Sequence, residues 1–226
     1  MTEKSFVKKL EESYISEGFF TKKELGVGYG VADLVLFRPD FGNCLKRLAH
    51  KQFKPLLNEA YFCVFNLLPD ADKYKMPMSF KELKEQTDYS SSFLKYQLIK
   101  NLKKARYVKE TSDGYYFKVN GWLPVGKELI AIEAKLKDWK RGFYQANRYK
   151  TFADQTYLAV PPNTAKLVDH SLLIKQGVGL ISFDAETGKK KILVKAEVKK
   201  ALSESKRNFA TEFFWNRSLI KSLTCV

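Results

Sequence analysis

Apolar positions along this chain follow two rhythms, and their alternation lays out its elements. In TEKSFVKKLEESYISEG, Phe6, Val7, Leu10 and Tyr14 repeat at helical spacing, with Thr2 placed as N-cap and Gly18 as stop, which predicts a helix. KELGVGYG and VADLVLFRP read as two short strands that meet at glycines and end at Pro39. The run from Leu129 to Ile132 is apolar and partly β-branched, so ELIAIEAK predicts a buried strand. DWKRGFYQANRYKTF follows as a helix with Trp139 and Phe143 for packing, and QTYLAV as a second buried strand. VPPNTAKLVDHSLLIKQGVGLISFD then predicts a capped helix and a further strand, with TGKKKILV as a hairpin return.

Residues 43–120 interrupt that alternation and read as an inserted domain, leaving 1–42 and 121–195 as the two parts of one core and 196–226 as a basic helical segment. KPLLNEAYFCVFNLLP predicts an apolar helix, and SFKELKEQT a short one with a capping box between Ser79 and Glu82. YSSSFLKYQLIKNLKKARY predicts a longer helix whose buried stripe is Phe93, Leu94, Leu98, Ile99 and Leu102. YVKETSDGYYFKV alternates around Asp113-Gly114, a hairpin signal. This order resembles a winged helix-turn-helix domain. The third helix carries no acid from Tyr89 to Tyr107, and Ser91, Ser92, Lys95, Lys100, Lys103, Lys104 and Arg106 are its candidate DNA contacts. A basic solvated face on a protein-binding adaptor is the other reading. In the last segment, Phe209, Phe213, Phe214 and Trp215 either anchor it by packing or stack on single-stranded bases.

Composition narrows the classes. The 226 residues, 45% of them hydrophobic, suffice for one core and a smaller second one, and a net charge of +15 from 40 Lys and Arg against 25 Asp and Glu favours a polyanionic partner. Cys44, Cys63 and Cys225 lie far apart with only His50 and His170 beside them, which argues against zinc and for a reducing cytoplasm. AYFCVFNLL is too short to span a bilayer, so no membrane is expected.

The chemistry concentrates in three residues. Period-2 alternation puts Glu133 and Lys135 on one strand face, and Asp33, followed by LVLF, needs a metal or a salt bridge to be tolerated in a buried strand. Gln145 and Tyr149 lie four apart on one helix face. Asp33 in GVADLVLF, Glu133 and Lys135 in IEAK, and Gln145 and Tyr149 in QANRY together resemble the PD-(D/E)XK, or restriction-endonuclease-like, nuclease superfamily, with Val31-Ala32 standing where the family name has a proline. The resemblance implies an α/β fold with a mixed central sheet flanked by helices, interrupted here by the winged helix. It also implies that Asp33 and Glu133 hold Mg²⁺ (or Mn²⁺), that Lys135 orients the attacking water or offsets transition-state charge, and that Gln145 and Tyr149 flank the site and touch DNA. Glu12 and Glu24 are further candidate metal ligands. The expected activity is metal-dependent hydrolysis of DNA by an endonuclease, as a homodimer or as the nuclease subunit of a recombination, transposition or defence complex. The alternative is a DNA-binding or regulatory protein with an inactive core, in which Lys135 is a structural salt bridge.

Overall fold

Thr2 opens the fold as the sequence predicts: its hydroxyl accepts from the Ser5 N–H at 3.2 Å, starting α1 (Glu3–Ile15) with Phe6, Val7, Leu10 and Tyr14 buried along one stripe. In chain order there follow β1 (Phe20–Gly26), β2 (Val31–Pro39), α2 (Phe41–Ala49), α3 (Ala60–Leu67), β3 (Met78–Ser79) and α4 (Phe80–Glu85). Next come α5 (Phe93–Ile99, wound as a π-helix, continuing α-helical through Lys100–Lys104), β4 (Val108–Glu110), β5 (Tyr115–Lys118), β6 (Gly126–Ala134) and α6 (Trp139–Arg148). The chain closes with β7 (Gln155–Val160), α7 (Pro162–Ala165), α8 (His170–Lys175), β8 (Gly179–Phe183), β9 (Lys190–Val194), α9 (Glu204–Glu212) and α10 (Arg217–Thr224). The computed structural model describes residues 1–28, 30–70, 76–119 and 123–224; Cys225, and Tyr29 in the glycine-rich stretch, lie outside the described residues.

Two compact units emerge. The first comprises Met1–Pro39 and Gly126–Phe214 and is an α/β unit built on a mixed sheet of order β1-β2-β6-β7-β8-β9. β1, β2 and β6 run antiparallel, β6, β7 and β8 parallel, and β9 returns antiparallel. Every residue of β7 is buried, as a strand covered on both faces must be. One face packs Tyr157 and Ala159 with Phe6, Leu10, Ile132 and Phe183, under α1. The other packs Leu158 and Val160 with Phe143, Ala146, Leu173 and Leu180, under α6 and α8. Phe214 stacks on Phe37 with centroids 4.5 Å apart, so this member of the C-terminal aromatic group is core.

The second unit comprises Asp40–Val125 and Trp215–Val226. Ser79 and Glu82 form the expected capping box on α4, and the β4–β5 hairpin turns at Gly114, whose φ of +81° suits glycine. The two-residue β3 completes a sheet of order β3-β5-β4. Leu94, Leu98, Ile99 and Leu102 of α5 are buried, while Phe93 is only partly so. Arg47 is fully buried with its guanidinium carbon 4.5 Å from the Trp215 ring centroid, and Trp215 Nε1 donates to the Gln52 carbonyl at 2.9 Å.

Three expectations change and one element is new. The 196–226 segment is divided, with the chain through Phe214 in the first unit and Trp215 onward in the second. The apolar helix begins at Ala60 rather than near Pro55, because Asn58 Oδ1 captures the Ala60 N–H at 3.0 Å. β1 begins at Phe20 and ends at the first of the three glycines, Gly26, while Gly28, with φ of +66°, lies in the turn that follows, where Val27 N–H bonds the Gly30 carbonyl. Phe41–Ala49 is a helix that the pattern did not announce; Asp40 caps it by accepting from Asn43 N–H at 3.0 Å. Among the described residues no helix is long and apolar enough to cross a membrane.

Candidate active site

Strand register creates the site. β2 and β6 pair Leu34 with Ile132, so one step further along the same antiparallel ladder Asp33 stands across from Glu133, and facing residues share a side of the sheet. Lys135 lies two residues beyond Glu133 and keeps the strand direction, its N–H donating to the Ala159 carbonyl at 3.0 Å. Lys135 Nζ is 2.7 Å from Glu133 Oε1 and 3.9 Å from Asp33 Oδ2. Asp33 Oδ2 also accepts from the Ala134 N–H at 2.9 Å, which locks the carboxylate to the neighbouring strand.

Tyr149 closes the inner side. It follows α6 in a single 3₁₀ turn, and its hydroxyl lies 2.5 Å from Glu133 Oε2 and 2.7 Å from the Val31 carbonyl. One hydroxyl proton cannot serve two acceptors, so a protonated Glu133 completes the chain by donating to Tyr149, which then donates to Val31. An ionised Glu133 takes the tyrosine proton instead. Glu133 is 1% exposed at its side chain and Asp33 31%, which makes Glu133 the floor of the site and Asp33 its solvent-facing wall.

Electrostatics follow from that burial. Desolvation, together with the facing Asp33 charge, raises Glu133 above the ordinary carboxylate range against the opposing bonds from Lys135 and Tyr149. Asp33 is raised for the same first reason, with Glu3 and Glu24 adding repulsion and the Ala134 N–H and Lys135 opposing it. Burial works against the charge on Lys135, but Glu133, Asp33 and Glu3 outweigh it and hold the ammonium above the usual lysine range. Burial and then Glu133 push the Tyr149 phenol up. The lysine is thus charged at neutral pH between two carboxylates that hold protons more tightly than usual.

The other expected residues divide. Glu24 joins the rim: the pairs Lys23–Leu34 and Leu25–Ala32 place it across from Asp33, and its φ of 52° is a strained, left-handed conformation for a non-glycine residue. It shares with Asp33 and Glu3 a cleft of about 540 Å³ that Lys4, Lys8 and Lys23 also line. Glu12 does not join it. Glu12 is exposed on α1, nine residues from Glu3, which in a helix is half a rotation away and about 13 Å along the axis. Glu3 takes that place, 3.6 Å from Lys135 Nζ and accepting from the Leu136 N–H at 3.3 Å. Gln145 is half-buried and makes no hydrogen bond to the three central residues; its buried Oε1 has no partner.

Two contributors lack any motif signal. Glu3 looks like a first-turn acid favourable to the helix dipole. Gly142 sits inside α6, where a Cβ would come within 2.7 Å of both Lys135 Cγ and Leu158 Cδ1, so only glycine lets the helix lie on the lysine stem. A glycine interrupting an otherwise good helix two residues after Lys140 was the available sequence signal.

Asp33 and Glu133 suit a hard divalent cation. Glu133 Oε1 is buried with Lys135 Nζ at 2.7 Å as its partner, and burial makes the charge on both carboxylates costly. Among the described residues no three His, Cys, Asp or Glu side chains gather in one potential metal-holding group, so the four-carboxylate set of Asp33, Glu133, Glu12 and Glu24 is not assembled. In the second unit Ser91, Ser92, Lys95, Lys100, Lys103, Lys104 and Arg106 are all exposed, and Lys103 is ion-paired with Glu110. No protein-family model, no curated protein and no solved structure matches the chain, so its reading rests on this geometry.

Proposed function

We propose that this chain is a divalent-metal-dependent DNA endonuclease of restriction-endonuclease-like fold, in which the second unit is a winged helix that binds duplex DNA. One observation carries the reading: two carboxylates on facing positions of adjacent strands and a lysine on the same face two residues on, with Lys135 Nζ 2.7 Å from one acid and 3.9 Å from the other. An Asp and a Glu on facing strands plus a lysine spaced Glu-x-Lys is a donor set that can hold a hard cation and place a positive charge beside a phosphodiester.

Asp33 and Glu133, with the Ala134 carbonyl, would hold Mg²⁺ or Mn²⁺, which supplies Lewis-acid stabilisation of the phosphate and a more acidic water. The chain's own groups do the rest. Lys135, held charged by its acidic neighbours, places a cation where charge develops on the phosphate oxygens and donates to an attacking water. Tyr149 fixes the Glu133 carboxylate through Oε2, leaving Oε1 turned toward Lys135. Lys4 and Lys8 on the cleft rim attract the DNA backbone, while Lys23 beside them is paired with Glu11 at 2.6 Å. The second unit supports the winged-helix reading by its element order, helix, short helix, basic helix and hairpin, with the cations of α5 turned to solvent.

The test is cleavage of plasmid, linear, branched and single-stranded DNA with Mg²⁺ or Mn²⁺, wild type beside Asp33→Ala and Lys135→Ala. Metal-dependent cleavage lost in both variants is the expected result. Tight DNA binding without cleavage under all of these conditions turns the reading to a binder whose Lys135–Glu133 pair is structural.

A further inference from the structure

A second hollow, of about 430 Å³, lies within the first unit away from the three central residues. It is bounded by Asn147 near the end of α6, Lys150 in the turn that follows, Thr156 near the start of β7, Lys175 at the end of α8, and Lys200 in the strap after β9. Gln155 pairs with Ile130, five residues before Lys135, so along the strands this end is separated from the site by about 17 Å at roughly 3.3 Å per residue.

Its polar groups are unfinished. Thr156 is 1% exposed and its Oγ1 has no hydrogen-bond partner, and the buried Oδ1 of Asn147 has none either. A buried hydroxyl without a partner costs about 1–3 kcal/mol, and valine would fill the same volume without that cost. The acids on the wall are already engaged: Asp154 takes two bonds from Arg207 at 2.6 and 2.8 Å, and Glu197 pairs with Lys199 at 2.8 Å. Lys150, Lys175 and Lys200 are left without an acidic partner among the described residues, and Lys150 donates only to the Gln176 carbonyl. Burial holds the Lys150 ammonium below the ordinary lysine range despite the pull of Glu197. Three cations, a hydroxyl free to donate, and an amide that loses nothing by turning its NH₂ inward make a complementary surface for several oxygens of one anion.

We propose that this hollow binds a phosphate group, carried either by a free nucleotide or by the backbone of the nucleic acid. Lys175 and Lys200 supply the charge, Thr156 and Asn147 the directed hydrogen bonds, and Lys150 joins them by exchanging the Gln176 carbonyl for a phosphate oxygen. The site does not rest on the nuclease reading, because none of its groups belongs to the Asp33–Glu133–Lys135 set. Its wall nevertheless includes Lys150, next to Tyr149.

The full chain is titrated calorimetrically at low salt with inorganic phosphate, with deoxyadenosine 5′-monophosphate and with a short duplex. The comparison set is Thr156→Val, the pair Lys175→Gln/Lys200→Gln, and the charge-matched control Lys166→Gln/Lys189→Gln on exposed lysines elsewhere. Expected is binding of phosphate or nucleotide that both site variants weaken at least tenfold and the control leaves unchanged, with Thr156→Val melting at or above the wild-type temperature. Competition by the duplex identifies the backbone as source, and its absence the free nucleotide. No binding by the wild type, or equal binding by site variants and control, overturns the proposal.

Discussion

Two clusters of charge in this molecule are built on opposite principles. In the first unit Asp33, Glu133 and Lys135 are packed into a few ångströms, Glu133 almost fully buried, and their ionisation is set first by desolvation and then by charged and hydrogen-bonding neighbours within the cluster. On α5 and just beyond it in the second unit Lys95, Lys100, Lys103, Lys104 and Arg106 stand in solvent, and among the described residues no ion pair but Lys103–Glu110 engages them. Buried charges carry information in their geometry, since a displacement of an ångström changes their energy by a large fraction. Exposed charges act through their number and through salt. Substitutions in the first cluster are therefore expected to change chemistry at constant binding, and those in the second to change binding at constant chemistry.

The largest effect is expected for Lys135→Ala: cleavage falls about 10³-fold while duplex affinity, measured by anisotropy, stays within twofold. Equal loss of both would place Lys135 in the binding surface and erase the contrast between the clusters. Gly142→Ala comes next. The added methyl meets the Lys135 stem at 2.7 Å, so the lysine moves or α6 lifts, and misplacement on that scale costs about 10²-fold in rate. Its melting temperature moves little, because alanine's better helix propensity offsets part of the clash. Gly142→Ala with full activity would show that the lysine's placement is not set by the helix.

Lys100→Ala/Lys104→Ala is expected to weaken DNA binding about tenfold and to reduce the slope of log affinity against log salt by about 1.8, or roughly 0.9 per phosphate contact. Lys103→Ala changes the slope less than Lys100→Ala, since Glu110 already neutralises that ammonium. Equal slopes for the two single variants would mean that the Lys103 pair opens on DNA.

How far each cluster was legible in the sequence follows the same division. Glu133 and Lys135 were placed on one face by period-2 alternation alone, and α1 by its cap and stripe, because burial writes a periodic signal into the chain. Asp33 facing Glu133 depends on a pairing 100 residues apart, and only the resemblance suggested it. Glu12 was the wrong acid of its helix: the choice between Glu3 and Glu12 depends on where the helix end meets β6, which local pattern does not encode. Gln145 shares a helical face with Tyr149, but the backbone tightens into a 3₁₀ turn at Tyr149, and only the tyrosine reaches Glu133. α2 carries no legible stripe because Phe41 and Leu45 are exposed while Cys44 and Arg47 are buried, which inverts part of the usual pattern. The two-residue β3 and the π-winding of α5 were equally silent, since so short a strand and an apolar stripe that fits either winding leave no distinct period.

The smallest effect tests the buried cluster from the side of stability. Asp33 holds its proton more tightly when folded than the ordinary carboxylate does, chiefly because folding desolvates it. A group with a raised folded pKa stabilises the fold below its unfolded pKa and loses that contribution as pH rises through the folded value, so at neutral pH the ionised Asp33 is a cost. Asp33→Asn keeps an oxygen for the Ala134 N–H and removes the charge. Its melting temperature at pH 7 is expected to exceed wild type by about 2–4 °C, the shift that about 1 kcal/mol produces in a chain of this size. The gap closes as pH falls through the carboxylate range, where wild-type Asp33 protonates and the two side chains become equivalent. Mg²⁺ or Mn²⁺ raises the wild-type melting temperature more than that of the variant, since a bound cation compensates the same charge that the substitution deletes. An Asp33→Asn variant no more stable than wild type at pH 7 would mean that Lys135 already neutralises the aspartate, leaving the two clusters closer in kind than their burial indicates.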